Sequence, residues 1–114
     1  MKNQTPKLYE GMYILSAQLS EDAKARAFEK IKAGITEKQG KILKVHDQGK
    51  RKLAYAIGPH NEGHYYLMYF EATPSTMEEL WKEYRLNEDL IRFMTLRTDQ
   101  VLEKLEFKQL VTEQ

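Results

Sequence analysis

Four strand-like segments and two helical segments follow one another along the chain, and their order limits the folds that it can adopt. The strand-like segments are rich in aromatic and branched residues, whereas the helical segments repeat apolar residues at intervals of three and four. The predicted strands cover residues 8–15, 41–57, 64–72 and 89–97. One predicted helix begins after Ser20 and extends to about Lys38, and the other begins at Pro74.

Local signals mark the ends and faces of the two helices. Ser20 is a predicted N-cap, and Gly40 is a predicted stop after the first helix. Ser75 and Glu78, three residues apart, predict a capping box at the start of the second helix. One apolar stripe runs along the second helix and consists of Met77, Leu80, Trp81 and Tyr84. Residues 58–63 are predicted to form a turn between the second and third strands.

The order β-α-β-β-α-β predicts an α+β fold of the ferredoxin-like type. In that fold, a four-stranded antiparallel sheet carries both helices on one face. A chain of 114 residues can form one core but not two. We therefore expect one domain over residues 8–97, with terminal extensions at 1–7 and 98–114. The long second strand predicts either a bulge near Gly49 or an overhanging arm, and the segment after Thr98 is either a short helix or a frayed tail.

Both faces of the predicted sheet are apolar, although helices are expected to cover only one of them. Strand side chains alternate between faces, and Glu10, Glu71 and Arg92 indicate which positions point away from the helices. The inner face is predicted to contain Tyr9, Tyr13, Leu15, Tyr66, Met68, Phe70, Ile91, Phe93 and Thr95. The outer face is predicted to contain Leu8, Met12, Ile14, Tyr65, Leu67, Tyr69, Met94 and Leu96. An apolar outer face predicts a covering protein partner, and all of these outer residues except Leu8 are candidate contacts.

Positive charge is concentrated in the middle of the chain. Residues 38–64 contain six cations and two anions, a balance of +4, whereas residues 71–114 contain six cations and ten anions, a balance of −4. Three consecutive cations, Lys50, Arg51 and Lys52, follow Gly49. Adjacent cations repel one another, and a nucleic-acid backbone is the commonest partner for such a run. The sequence therefore predicts a phosphate-binding patch there.

Several classes of function lack the residues that they need. The chain contains no cysteine, and its three histidines, His46, His60 and His64, do not have the spacing of metal ligands. No phosphate-binding glycine loop or nucleophile motif is present, so we predict no catalytic residue, no metal and no cofactor. No segment has the length and apolarity of a membrane span or a secretory signal, which favours the cytoplasm.

The third predicted strand partly matches the signature of RNA-recognition motifs. Glu62-Gly63-His64-Tyr65-Tyr66-Leu67-Met68-Tyr69 has the glycine and several rings but lacks the leading cation. The alternation of the strand also directs His64 and Tyr66, the residues that would stack on bases, towards the helices. We therefore do not predict base stacking on the open sheet.

Four blocks of residues give the chain a more specific resemblance. They are Tyr9-Glu10 with Met12-Tyr13-Ile14-Leu15; Gly49-Lys50-Arg51-Lys52-Leu53-Ala54-Tyr55 with Ile57; Glu62-Gly63-x-Tyr65 with Leu67-Met68 and Phe70-Glu71; and Arg85-Leu86-Asn87-Glu88-Asp89-Leu90-Ile91-Arg92 with Arg97. In order and spacing they resemble the bacterial small-subunit ribosomal protein six family. The chain departs from that pattern at Ala56, where proline is common, and at Gly58-Pro59, where a basic pair is common.

The resemblance implies a structural, non-enzymatic protein of the small ribosomal subunit. Family members bind the central domain of small-subunit ribosomal RNA as a pair with small-subunit ribosomal protein eighteen. The resemblance implies RNA contacts at Lys50, Arg51, Lys52, Tyr55, Arg85 and Arg92. The chain ends in Thr112-Glu113-Gln114 without an acidic run, so an acidic-tail modification seen in some members is not implied.

An alternative reading places the chain in another functional class. Ferredoxin-like domains also form homodimers whose open faces enclose a small ligand, and some of these are enzymes. The two readings predict different states of the isolated protein, because a ligand sensor would be a tight homodimer. A protein that lacks its natural heterologous partner would be a monomer, and we expect a monomer.

Overall fold

The computed structural model describes residues 5–103 and confirms the predicted order of elements. The elements are β1 (Lys7–Ser16), α1 (Glu21–Glu37), β2 (Lys41–Ile57), β3 (His60–Ala72), α2 (Pro74–Leu86) and β4 (Leu90–Arg97). The strands form one antiparallel sheet in the order β2-β3-β1-β4. This is the predicted ferredoxin-like arrangement. None of the helices in the described part of the chain has the length and apolarity needed to cross a membrane.

The core lies between the sheet and the two helices. Tyr13, Leu15, Met68 and Phe70 are fully buried among residues from both helices. The Phe28 ring of α1 stacks on Tyr66 of β3, with ring centroids 3.8 Å apart. The core therefore confirms the predicted inner face along β1 and β3. On β4, Phe93 packs against the core and Thr95 accepts a hydrogen bond from Trp81 Nε1 at 2.8 Å.

Ile91 is the one predicted inner-face residue that the structure places on the outer face. The pairing of β1 with β4 shifts register between Ile14 and Leu15, so Leu90 rather than Ile91 enters the core. The Ile91 side chain instead lies near Gly63 and Ile14. A bulge reverses the alternation of side chains on one strand, and the sequence pattern contained no sign of it.

The ends of α1 agree with prediction, whereas the N-terminal cap of α2 differs from it. The Ser20 hydroxyl accepts a hydrogen bond from the Ala23 N–H at 3.1 Å, as an N-cap should. At the other end, Gln39 adopts φ 70° and the Gly40 N–H donates to the Ile35 carbonyl at 2.8 Å. This is a Schellman-type ending, in which Gly40 follows the left-handed residue.

The N-cap of α2 is Thr73, so the predicted capping box at Ser75 is wrong. The Thr73 hydroxyl accepts a hydrogen bond from the Thr76 N–H at 3.2 Å. Pro74 occupies the first helical position, where a missing N–H has no cost. The cap must precede that proline and therefore lies two residues before Ser75, whereas the helix itself begins at Pro74 as predicted.

The turn predicted at residues 58–63 is much shorter in the structure. Ile57 pairs with His60, so only Gly58 and Pro59 form the turn, and β3 begins at His60. Glu62 and Gly63 pair with Lys52 and Arg51 of β2. Residues 60–62 are polar because they belong to a ribbon of β2 and β3 that continues past the end of β1, and polarity alone resembled a loop.

Both of the alternatives left open for β2 are present in the structure. The register shifts between Asp47 and Gly49, and Gly49 adopts φ 77°, which other residues rarely do. The Asp47 Oδ1 atom accepts hydrogen bonds from the Gly49 N–H at 3.0 Å and from His64 Nε2 at 2.6 Å. Beyond this bulge, β2 and β3 continue as a two-stranded ribbon. We call residues 50–63 the arm.

Candidate nucleic-acid and protein interface

The basic run lies on the arm, and the pleat of the strand divides it between two surfaces. Lys50 pairs with His64, which lies on the inner face beside Tyr66. Arg51 pairs with Gly63, whose missing side chain would point to the outer face towards Ile14. Because neighbouring strand residues alternate, Arg51 lies on the outer surface of the arm, and Lys50 and Lys52 lie on the inner surface.

The two lysines of the run are exposed to solvent. Lys50 Nζ lies 3.9 Å from a carboxylate oxygen of Glu62, and both side chains are about half exposed. An ion pair of this kind contributes little and is screened by salt. The pair therefore leaves the lysine able to bind a phosphate.

Tyr55 and Arg92 come together although 37 residues separate them in the chain. The end of the arm bends over the outer face, and the Arg92 guanidinium carbon lies 5.7 Å from the centre of the Tyr55 ring. The Arg92 Nη1 atom donates to the Tyr55 hydroxyl at 3.5 Å. Tyr55 remains 65% exposed. Two of the predicted RNA-binding residues, one on the arm and one on β4, are therefore in contact with each other on the outer side of the sheet.

Arg85 is separate from these residues. It lies in the last turn of α2, where a cation is favoured by the helix dipole, and it is exposed. The helices cover the inner face of the sheet, whereas Arg92 lies on the outer face. The six predicted RNA-binding residues therefore do not form one continuous patch.

The outer face is less bare than the sequence indicated. Met94 and Leu96 are about half exposed, at 48% and 53%. In contrast, Ile14, Leu67 and Tyr69 are buried, and the expectation that they lie bare in the isolated chain is wrong. Met12 and Tyr65 are partly exposed. Two segments of the same chain cover this face, one at each end.

The bent end of the arm covers the first part of the outer face. Together with the sheet it encloses a hollow of about 160 Å³. Residues of the arm and of three strands line this hollow: Met12, Ile14, Leu53, Ala54, Tyr55, Ile57, Tyr65, Arg92 and Met94. The Ile14 side chain can pack closely against the backbone of Gly63 because Gly63 has no side chain. A Cβ atom there would lie 2.3 Å from Ile14 Cγ2.

Residues 98–103 cover the second part of the outer face, and we call them the strap. The Thr98 N–H donates to the Leu8 carbonyl at 3.0 Å, at the beginning of the strap. At its end, the Leu102 carbonyl lies 2.7 Å from His46 Nε2, and Glu103 forms an ion pair with Lys44 at 3.2 Å. Sequence reasoning missed the strap, and an apolar Val101-Leu102 pair within a polar segment was the only signal for it.

Tyrosine ionisation reports how closely the outer face is covered. Burial, followed by the hydrogen bond to Glu10, raises the pKa of Tyr69 far above its ordinary value, while a backbone hydrogen bond with Leu102 opposes this. Burial also raises the pKa of Tyr65, and the charge of Arg92 partly offsets that rise. Both effects require a face that this chain itself shields from water.

Comparison with known proteins shows what kind of chain this is. Residues 8–97 match the model of the family described as Ribosomal protein S6. The chain belongs to the ribosomal protein S6 family. A relative from Protochlamydia amoebophila, named small ribosomal subunit protein bS6, is 56% identical over the whole of both chains. The protein of the same name from Chlamydia abortus is 57% identical and covers 96% of this chain and 98% of its own.

A solved structure from the same family agrees with the fold. The crystal structure of 30S ribosomal protein S6 from Thermotoga maritima superposes with a TM-score of 0.78 at 33% identity and covers 96% of this chain and 95% of its own. Membership of the S6 family makes this chain a structural protein of the small ribosomal subunit in the cytoplasm, and not an enzyme.

The structure also bears on two kinds of site that the sequence raised, base stacking on the sheet and metal binding. His64 and Tyr66 do point towards the helices, with His64 bound to Asp47 and Tyr66 stacked on Phe28, so they are not a base-stacking pair. Within residues 5–103, no three histidine or carboxylate side chains gather where they could hold a metal ion.

Proposed function

We propose that this protein binds the central domain of small-subunit ribosomal RNA through the arm and docks small-subunit ribosomal protein eighteen on the outer face. In this proposal residues 8–97 form a single domain, and the isolated protein is a monomer. The observation that carries the proposal is the position of the arm. It presents three consecutive cations beyond the helices, next to a sheet face with two half-exposed apolar residues.

Cations on both surfaces of a two-stranded ribbon suit RNA better than a single flat patch would. Lys50 and Lys52 face one way and Arg51 faces the other. A ribbon with this pattern can contact phosphates on two backbone segments, as found where RNA strands cross or a helix has a junction. Tyr55 and Arg92 extend the outer surface with an aromatic ring, which can stack on an unpaired base, and a guanidinium, which can bind a phosphate.

The docking surface for a protein partner is narrower than the full outer face. Met94 and Leu96 project from the edge strand β4, and their exposed halves would be buried by a partner. Partly exposed Met12 and Tyr65 adjoin them around the hollow. Ile14, Leu67 and Tyr69 support this surface from beneath and contact a partner only if their present cover moves.

The alternative of a homodimeric ligand-binding domain receives no support from the outer face. In that class two open sheet faces pack together around the ligand, whereas here the arm and residues 98–103 of the same chain already cover part of the outer face. Sedimentation of the purified protein at micromolar concentration would test its oligomeric state. A monomer is expected, and a tight homodimer would contradict the proposal.

The salt dependence of RNA binding tests the arm. The variant Lys50→Gln/Arg51→Gln/Lys52→Gln removes three cations without adding bulk. In the complex with protein eighteen, the logarithm of RNA affinity should depend less steeply on the logarithm of salt concentration, by about 2 to 3. Filter binding or fluorescence titration at several potassium chloride concentrations gives this slope.

A matched control separates the arm from general positive charge. Arg26→Gln/Lys30→Gln/Lys82→Gln also removes one arginine and two lysines, all of them exposed on the helices. We expect it to leave the slope close to that of the unmodified protein. An unchanged slope in the arm variant, or an equal decrease in both variants, would exclude the arm as the phosphate-binding element.

An exposed apolar residue tests the docking surface. Met94→Glu places a charge in the proposed interface and should weaken binding of protein eighteen at least about tenfold, because an unpaired buried charge is costly. Leu86→Glu is the matched control, since Leu86 is 82% exposed on α2, on the helical side. Calorimetry with the purified partner measures both. Equal losses in the two variants would contradict docking on the outer face.

A further inference from the structure

We infer that the strap, residues 98–103, is an internal occupant of the outer face that the protein partner must displace in order to dock fully. This inference rests on the proposed function, because it concerns the surface on which the partner binds. It assigns a regulatory competition to a segment of this chain. Its basis is the path of the strap, what the strap covers and how weakly it is held.

The strap crosses most of the sheet. It begins beside β1, where the Thr98 N–H donates to the Leu8 carbonyl. It ends over β2, where Leu102 and Glu103 reach His46 and Lys44. Since β3 lies between β1 and β2, the strap must pass over β3 on its outer face.

Tyr69 shows that the strap covers the outer face. Its side chain points to the outer face, away from both helices, yet it has no exposed surface. Its hydroxyl donates to Glu10 at 2.6 Å, and the backbone of Leu102 also bonds to it. The strap therefore supplies the cover that an apolar sheet face requires in water.

The contacts that hold the strap are weak and lie in solvent. Glu103 is 77% exposed and Lys44 is 37% exposed in their ion pair. Leu102 keeps 39% of its surface exposed, and its carbonyl contact with His46 is also exposed to solvent. Segments with few buried contacts open at low free-energy cost. The arm differs, because backbone pairing to β3 and the buried Leu53 hold it in place.

A partner that buries the same face more completely would therefore displace the strap. The measured affinity of the partner is then its intrinsic affinity reduced by the fraction of molecules in which the strap is open. Weakening the strap should strengthen partner binding, and fastening the strap should weaken it. A segment that merely lies on the surface would produce neither effect.

Fastening the strap is possible because the chain has no cysteine of its own. The full-length variant Lys44→Cys/Glu103→Cys can be joined by a short thiol-reactive cross-linker, and the same variant blocked with N-ethylmaleimide is its unlinked control. Binding of purified protein eighteen should be at least about tenfold weaker to the cross-linked form, because the cross-link leaves almost no molecules in which the strap is open. Circular dichroism establishes that both forms are folded.

Loosening the strap gives an independent measurement on the full chain. Lys44→Met removes the ion pair to Glu103, and Lys41→Met removes an equal charge from the same strand without touching the strap. Lys44→Met should bind the partner about two- to fivefold more tightly than Lys41→Met, as expected for loss of one exposed pair.

The outcomes separate the two proposals. If the blocked form binds protein eighteen and the cross-linked form binds it equally well, the competition is refuted while the docking proposal stands. If Lys44→Met binds no more tightly than Lys41→Met, the competition is likewise refuted. If no form binds the protein, the docking proposal fails and the competition fails with it.

Discussion

Gly63→Ala is expected to destabilise the protein although it adds only a methyl group. Gly63 lies where the arm joins the sheet, and a Cβ atom there would be 2.3 Å from Ile14 Cγ2 and 3.2 Å from the Leu15 carbonyl oxygen. Unbonded carbon atoms approach no closer than about 3.5 Å at low energy. Either Ile14 or the strand must move by about 1 Å, and Ile14 is only 2% exposed.

The magnitude follows from overpacking of a closed site. Forcing an extra carbon into a packed interior costs about 1 to 3 kcal/mol. In a domain of this size, each kcal/mol lowers the melting temperature by about 4 to 8 °C. Gly34→Ala is the control, because its Cβ would meet the flexible end of Glu83 at 3.2 Å and Leu80 Cδ2 at an ordinary 3.7 Å, and the helix interior favours alanine. Gly34→Ala should be neutral or stabilising.

A double-mutant cycle identifies the cause. Ile14→Ala alone should cost about 2 to 5 kcal/mol through the cavity that it leaves. Combined with Gly63→Ala, the total should be smaller than the sum of the single effects by about 1 kcal/mol or more, because the added methyl fills part of that cavity. Urea denaturation followed by circular dichroism measures all four proteins. Additive effects, or an unchanged stability of Gly63→Ala, would refute the packing argument.

Three further predictions concern other parts of the fold. Burial raises the pKa of Tyr84 to about 12 and raises the pKa of Tyr13 as well. The tyrosines should therefore contribute their full stability below pH 10, the pKa of an unfolded tyrosine, and stability should fall by up to about 1.4 kcal/mol per pH unit for each tyrosine as the pH rises towards 12. Urea titrations should show a shallower fall for Tyr84→Phe. Thr73→Ala removes the N-cap of α2 and should cost about 1 kcal/mol in the same assay, whereas Ser75→Ala should cost much less. Asp47→Ala removes the acceptor for His64 and should cost about 1 to 2 kcal/mol, with faster amide exchange concentrated in the arm.

The features that could be predicted from the sequence are those set by regular repeats. Alternating side chains on β1 and β3 placed Tyr13, Met68 and Phe70 in the core, where the structure has them. Such patterns survive because burial of an apolar face contributes more free energy than any local preference. The N-cap at Ser20 could also be predicted, because an N-cap depends only on its immediate neighbours in sequence.

The features that could not be predicted depend on contacts between distant residues. The shift in register that moves Ile91 outwards is set by how β4 pairs with β1, and it leaves no trace in the composition of β4. The strap depends on Leu102 and Glu103 reaching residues of β2 that precede them by more than fifty positions. Polar residues on the arm resembled a turn because an exposed ribbon and a loop have the same composition.

The arm and the outer face share their packing, and this gives a physical reason for the proposed RNA and protein binding to assist each other. Arg51 pairs across the arm with Gly63, and Gly63 rests on Ile14 beneath the outer face. The hollow beside Ile14 is lined by Tyr55 from the arm and by Met94 from the proposed docking surface. A partner that orders Met94 and this hollow also restricts the arm before RNA arrives. RNA would then bind a ribbon that has already lost part of its conformational freedom, which is a source of positive coupling between the two proposed sites.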